Sequence, residues 1–281
     1  AYTAGKLTGE ELAALGVNFD LAPVLDVNSN RKNVVIGTRS YGEYPKMVAT
    51  YGVAMSRGLQ SGGVLSCGKH FPGHGDTAVD SHLGLPLVEK SLEELEACEL
   101  IPFRAAIDAD IDAMMTTHIL FPKLEKEKIP ATMSRTIMTG LLRERLGFKG
   151  LIISDCRMMG AIQDYYGTIP GCVAACKAGV DMVIISHSAE LAGQAAQAIR
   201  EEAEKGGVLA EEMDAAMAHI AACKARLHPA DPAAFDAVGS AAHREIVHAL
   251  RQAGATHLGG AAQVPALGDK PFFVGCYPFR V

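Results

Sequence analysis

Five short runs of mostly apolar residues, Val17–Val27, Val64–Phe71, Ala113–Leu120, Leu151–Asp155 and Met182–Ser186, recur about 30 to 50 residues apart. Runs this apolar suit strands buried on both faces, as in a parallel sheet covered by helices. The segments between them carry the helical period, and helices are expected at about 45–61, Leu92–Asp108, 134–146, 170–178, 188–205 and Leu209–Leu227. Ser91, with Glu94 three residues later, gives the Leu92 helix a capping box. Strand alternating with helix at this spacing means βα units, hence an α/β fold around a parallel sheet. With 49% hydrophobic and 21% charged residues over 281 positions, the chain can bury a sizeable core, which excludes a disordered or fibrous protein.

Polar residues of catalytic type gather just after the runs: Asp26, then Lys69 to His82, then His118, Asp155 and His187. A (β/α)8 barrel or an open doubly wound sheet places its active site at that end of the strands. Five units are too few to close an eight-stranded barrel, so either the sheet is open or three units lie upstream of Ala1. An open sheet of this kind is expected to expose unpaired edges and apolar surface. At His228-Pro-Ala-Asp-Pro232 two prolines suggest a linker. The expected organisation is a catalytic domain over 1–228, a linker over 229–239 and, over 240–281, one helix and a strand-like run at Phe272–Cys276. That last piece is too small for a core of its own and reads as the beginning of a further domain.

The net charge of −6 and pI near 5.9 provide no basic face for nucleic acid. No apolar run reaches the roughly 20 residues of a membrane-spanning helix. Seven cysteines without small-domain spacing point to free thiols and a cytoplasmic setting. Because the chain begins with Ala1, a signal segment upstream and a secreted location stay open.

The densest polar cluster runs from Lys69-His70 through His74 and Asp76 to Asp80 and His82. Gly73 and Gly75 permit a tight loop after the strand, and Pro72 ends the strand. Asp80 and His82, two apart, have the spacing at which a carboxylate orients an imidazole and raises its basicity. The same stretch also reads as solvated loop polarity, or as a metal cluster of His70, His74, Asp76 and His82. Asp155 ends an apolar strand, where a carboxylate is costly unless bonded or functional, although Asp is also a good helix N-cap. Arg39 reads as a clamp for hydroxyls or a carboxylate, or as a surface charge. His118 reads as a satisfied core histidine.

Taken in order, the segments Asn18-Phe-Asp-Leu-Ala-Pro-Val-Leu-Asp26, Val35-Ile-Gly-Thr-Arg39-Ser, Lys69-His-Phe-Pro-Gly-His-Gly-Asp76, Asp80-Ser-His82, Met115-Thr-Thr-His118 and Ile153-Ser-Asp-Cys156 resemble the catalytic domain of glycoside hydrolase family 3, in its β-N-acetylglucosaminidase branch. The resemblance runs from about residue 5 to about 227. It implies a TIM-type (β/α)8 barrel, here without its first three strands, followed by the start of a truncated α/β/α domain. It implies retaining release of terminal β-N-acetylglucosamine from muropeptides or chitooligosaccharides, with Asp155 as nucleophile, His82 as general acid/base and Asp80 as its partner. Lys69, His70 and Arg39 would hold the sugar, and neither metal nor organic cofactor is implied. Two departures stand out: the family's Asp-Gln-Glu-Gly-Gly-like loop has no counterpart, and Met158 lies about where a carboxylate is common. A metal-dependent hydrolase on the same barrel and an inactive sugar-binding fragment are the alternatives.

Overall fold

The computed structural model describes residues 1–77, 86–156, 166–227 and 232–254. The chain divides into two compact units, Ala1–Ser240 and Ala241–Val281. The described part of the second is one helix, Ala241–Gly254. The first contains α1 (Tyr2–Ala14), β1 (Phe19–Asp20), α2 (Pro45–Ser61), β2 (Leu65–Phe71), α3 (Leu92–Ala97), α4 (Leu100–Asp108) and β3 (Ala113–Thr116). It continues with the π-helix α5 (Thr136–Arg145), β4 (Leu151–Cys156), α6 (Thr168–Lys177), β5 (Met182–Ile184), α7 (Ala189–Ala203) and α8 (Val208–Lys224). Among the described residues the five strands form one sheet in chain order, every neighbouring pair parallel. The fold is thus α/β with a curled parallel sheet, half a barrel.

Alternation along the strands assigns each side chain to a face. Met114 and Ile152 join the larger core, with Leu25 and Phe71, against Phe103 of α4, Ile137 and Leu141 of α5 and Ala175 of α6. Cys67, Ala113, Met115, Leu151 and Ile153 form a second cluster on the other face, with Phe19, Ile184 and, from α8, Ile220 and Cys223 packed against it. Strands covered on both sides explain the unbroken apolar runs. The second face is only partly covered. A groove of about 340 Å³ remains there between Phe19, Leu65, Ile153, Met182 and Ile220, and Met182 is 45% exposed.

Several elements differ in detail from the sequence reading. The run from Val17 yields only a two-residue strand and an isolated Val24–Lys69 bridge, because Pro23 has no amide to give the ladder. The Ser91–Glu94 capping box is formed, yet the helix it opens breaks at Cys98. Pro102 accounts for the break, since its ring excludes the hydrogen bond to the carbonyl of Cys98 four residues back. Pro232–Ala237, within the expected linker, forms a 3-10 helix, and Gly239 donates its amide to Glu11 of α1. The strand expected at Phe272–Cys276 lies outside the described residues. The six described cysteines are free thiols, and no described helix is long and apolar enough to cross a membrane.

Helices α1 and α2 approach through glycines on both partners. A Cβ on Gly58 would come within 2.4 Å of the Tyr2 carbonyl oxygen, and one on Gly9 within 2.7 Å of that of Leu59. Backbone stands in the way in each case, so relief requires the helices to separate. Gly58→Ala is expected to lower the unfolding free energy by about 1–3 kcal/mol, read from the midpoint of urea denaturation. An unchanged midpoint would contradict the close approach.

Candidate active site

The C-terminal ends of β2 and β4 form the floor and wall of the site. On β4, Leu151 and Ile153 point to the partly covered face, and Asp155 stands beyond them at the strand's end, where the pairing with β5 is irregular between Ile153 and Cys156. On β2, Cys67 faces that side, and Lys69 stands two residues on, within the irregular stretch between Gly68 and Phe71. Lys69 is half-buried, and burial pulls its ammonium below the usual lysine range. The nearby Arg39 guanidinium adds to that shift, while Cys67 and the carboxylates of Asp155 and Asp20 oppose it. Arg39, Lys69 and Asp155 therefore share one field, above an apolar base. Asp155 also accepts the amide of Cys156 at 2.7 Å.

Beside this wall lies a carboxylate that the sequence reading placed after a strand without giving it a role. Asp26 is fully buried. Its Oδ2 lies 2.7 Å from Nδ1 of His70, its Oδ1 accepts the His74 amide at 2.7 Å, and the His70 amide points between both oxygens at 3.2 Å. Burial alone would raise the Asp26 carboxyl, but the charge and hydrogen bond of His70, with His74 behind them, hold it below the usual carboxylate range. Asn33, also buried, ties the same loops together. It donates to the His74 carbonyl at 2.7 Å and the Thr77 hydroxyl at 3.2 Å, and accepts the amides of Val35 and Ile36. The 3-10 turn carrying Arg39, Gly37–Arg39, is thereby fixed to the loop after β2. A Cβ on Gly75 would fall 1.7 Å from the Val27 carbonyl oxygen, so only glycine lets the two loops meet.

Of the residues singled out in the sequence, Lys69, His70, Arg39 and Asp155 are described, whereas Asp80 and His82 lie outside the described residues. Asp76 does not join His70 and His74. It pairs with Lys90 at 3.0 Å, and Lys90 in turn reaches the buried Glu99 at 2.5 Å. Among the described residues no group of three or more His, Cys, Asp or Glu side chains is arranged to hold a metal ion. His118 is buried, with Nδ1 2.9 Å from the Thr132 hydroxyl and Nε2 3.1 Å from the Cys156 carbonyl. His187 is exposed. Asp26 ends an apolar run as Asp155 does, so the signal that marked one was present for the other; Asn33 had none.

Burial lowers the His74 imidazole below its ordinary value near 6.5, outweighing the opposing charge of Asp26. The unfolded chain then binds a proton that the folded chain refuses, so this contribution to stability is whole above about pH 6.5 and is lost as pH falls through the folded value. Urea midpoints of the unaltered chain should therefore drop more between pH 7.5 and 5.5 than those of His74→Gln. Parallel curves would show that His74 titrates normally.

Residues 1–223 match the profile of the glycosyl hydrolase family 3 N terminal domain. The chain is 35% identical over 281 residues to beta-hexosaminidase A of Pseudoalteromonas piscicida, covering 92% of this chain and 46% of that protein. It is 36% identical over 194 residues to the beta-hexosaminidase of Thiobacillus denitrificans, covering 69% and 53%. The glycoside hydrolase family 3 beta-N-acetylglucosaminidase from Paenibacillus sp. str. FPU-7 superposes with a TM-score of 0.83 at 41% identity, covering 89% of this chain and 48% of that one. The chain spans about half the length of these relatives. With most of its length matched, and with a parallel half-barrel carrying its polar groups at the strand ends, the chain belongs to the glycosyl hydrolase family 3 N-terminal domain family.

Proposed function

We propose that this protein is a retaining β-N-acetylhexosaminidase that releases terminal β-N-acetylglucosamine from muropeptides or chitooligosaccharides. The observation that carries this reading is Asp155 at the C-terminal end of β4, close enough to Lys69 for the two charges to act on one another. The names of the relatives, beta-hexosaminidases and a beta-N-acetylglucosaminidase, support it. Asp155 attacks the anomeric carbon and forms a covalent glycosyl-enzyme. His82, oriented by Asp80, protonates the departing glycosidic oxygen and then takes a proton from the incoming water. Lys69 and Arg39 hold hydroxyl oxygens of the sugar, and His70 completes that contact. A histidine suits the acid/base role because its ordinary pKa, about 6.5, lies near the operating pH. No metal enters this scheme.

The same reading makes the five strands part of a (β/α)8 barrel, whose remaining strands would cover the apolar groove beside Phe19 and Met182, and makes 240–281 the start of an α/β/α domain. The exposure of Met182 at the edge of an otherwise apolar face supports the first of these.

A chromogenic β-N-acetylglucosaminide is expected to be cleaved with net retention, so that the first product seen by NMR is the β-anomer. Asp155→Ala should abolish turnover, His82→Ala should lower kcat by about 10²–10⁴-fold, and a chelator should change nothing. Inverted product, or activity that a chelator removes, would overturn the mechanism in favour of the metal-dependent alternative.

A further inference from the structure

The hydrogen bonds around the two buried histidines fix where their protons are. Asp26 already accepts the amides of His70 and His74 and, among the described residues, has no other acceptor to serve, so the proton in its 2.7 Å contact with His70 belongs to Nδ1 of the imidazole. In the neutral ring, Nε2 is then a bare lone pair, and no described residue bonds to it. The same bookkeeping applies to His74. The Thr77 hydroxyl donates to the His74 carbonyl at 3.0 Å and accepts from Asn33, so it receives the proton of His74 Nδ1 at 2.8 Å. The two rings lie edge to face with centroids 5.7 Å apart.

His70 follows Lys69 directly, and the pairing of β2 with β3 is irregular between Gly68 and Phe71. An irregularity of this kind breaks strict alternation and re-aims side chains, so consecutive residues can serve one site. Lys69 can only donate; the neutral His70 ring, through Nε2, can only accept.

We infer that Asp26 is a positioning residue that locks His70 in the Nδ1–H tautomer, so that Lys69 and His70 together recognise one sugar hydroxyl that accepts from the ammonium and donates to the imidazole. The hydroxyl part rests on the glycosidase reading above; the tautomer part does not. A fluorine in place of that hydroxyl accepts from Lys69 but has no proton for His70, and the pair discriminates against it. Asp26→Asn reverses the polarity. Its amide oxygen can still take the backbone donors, while its NH2 group donates to Nδ1 and drives the proton to Nε2.

The test begins with the unaltered chain labelled with 15N-histidine at pH 8, where His70 is assigned by the signal that His70→Asn removes. The expected spectrum shows a proton on Nδ1 and a lone-pair nitrogen at Nε2; the opposite tautomer overturns the inference, and this measurement needs neither activity nor a stable Asp26 variant. Asp26→Asn should exchange the two signals. With a series of monodeoxyfluoro β-N-acetylglucosaminides, the unaltered enzyme should prefer the hydroxyl over fluorine at one ring position by about tenfold or more in kcat/KM. Asp26→Asn should bring that one ratio towards unity, chiefly through KM, while ratios at other positions stay put. A merely structural role for Asp26 would lower all substrates alike, and that result overturns the recognition claim. If no β-N-acetylglucosaminide is cleaved, the glycosidase reading fails together with the hydroxyl claim, and the tautomer is still decided by the spectrum.

Discussion

A carboxylate with no solvent at all sits where two loops cross, and the geometry of the site hangs on it. Burying an unpaired carboxylate costs several kcal/mol, so Asp26 is tolerable only because the His70 amide, the His70 imidazole and the His74 amide all converge on it. Those three donors belong to the end of β2 and the loop that follows it, while Asp26 belongs to the segment after β1. Satisfying the charge therefore requires the two loops to meet. Once they do, Asn33 and Gly75 close the gap, and Arg39 is carried to the side of the site where Lys69 stands near the end of β2. One buried charge thus specifies a loop conformation that no local propensity would choose.

The sheet leaves little freedom over where such groups can go. Both faces of β3 and β4 are committed to apolar packing, so polar side chains are confined to strand ends. At the C-terminal end this produces a half-buried lysine and a carboxylate beside an apolar face, with the exposed Arg39 of the 3-10 turn near enough to act on the lysine; charges partly withdrawn from water act on one another more strongly than they would in it. Lys69 shows the balance: burial and Arg39 disfavour its charge, and Asp155 favours it. Asp155 is thus part of what favours the charge of its neighbour.

The fold was legible from the sequence because its signal is repeated. Five apolar runs separated by helical segments give a parallel sheet whatever the local irregularities, and the strand that came out shortest is the one that contains Pro23. What escaped was local competition: Pro102 breaks a helix whose start was correctly capped. Within the site, Asp155 and the Lys69-His70 pair could be named in advance since they end apolar runs. Asp26 ends one too, but its role depends on donors that are 44 and 48 residues away. Asn33 was beyond reach altogether, because an asparagine in a polar loop looks the same whether it faces water or ties two loops together.

Histidines show most plainly what the structure adds. His70, His74 and His118 all lie at or just beyond the ends of apolar strands, and sequence position does not tell them apart. In the folded chain His118 spends both ring nitrogens, one on Thr132 and one on the Cys156 carbonyl, and so braces the end of β4 where Asp155 stands. For His70 and His74 the described partners engage Nδ1 alone. A ring with both nitrogens engaged has nothing left for a ligand, whereas a ring held at Nδ1 by a neighbouring acceptor presents a defined lone pair at Nε2. The difference between a bracing histidine and a binding one lies in that second nitrogen, and Asp26 and Thr77, by taking the first, determine what the second can do.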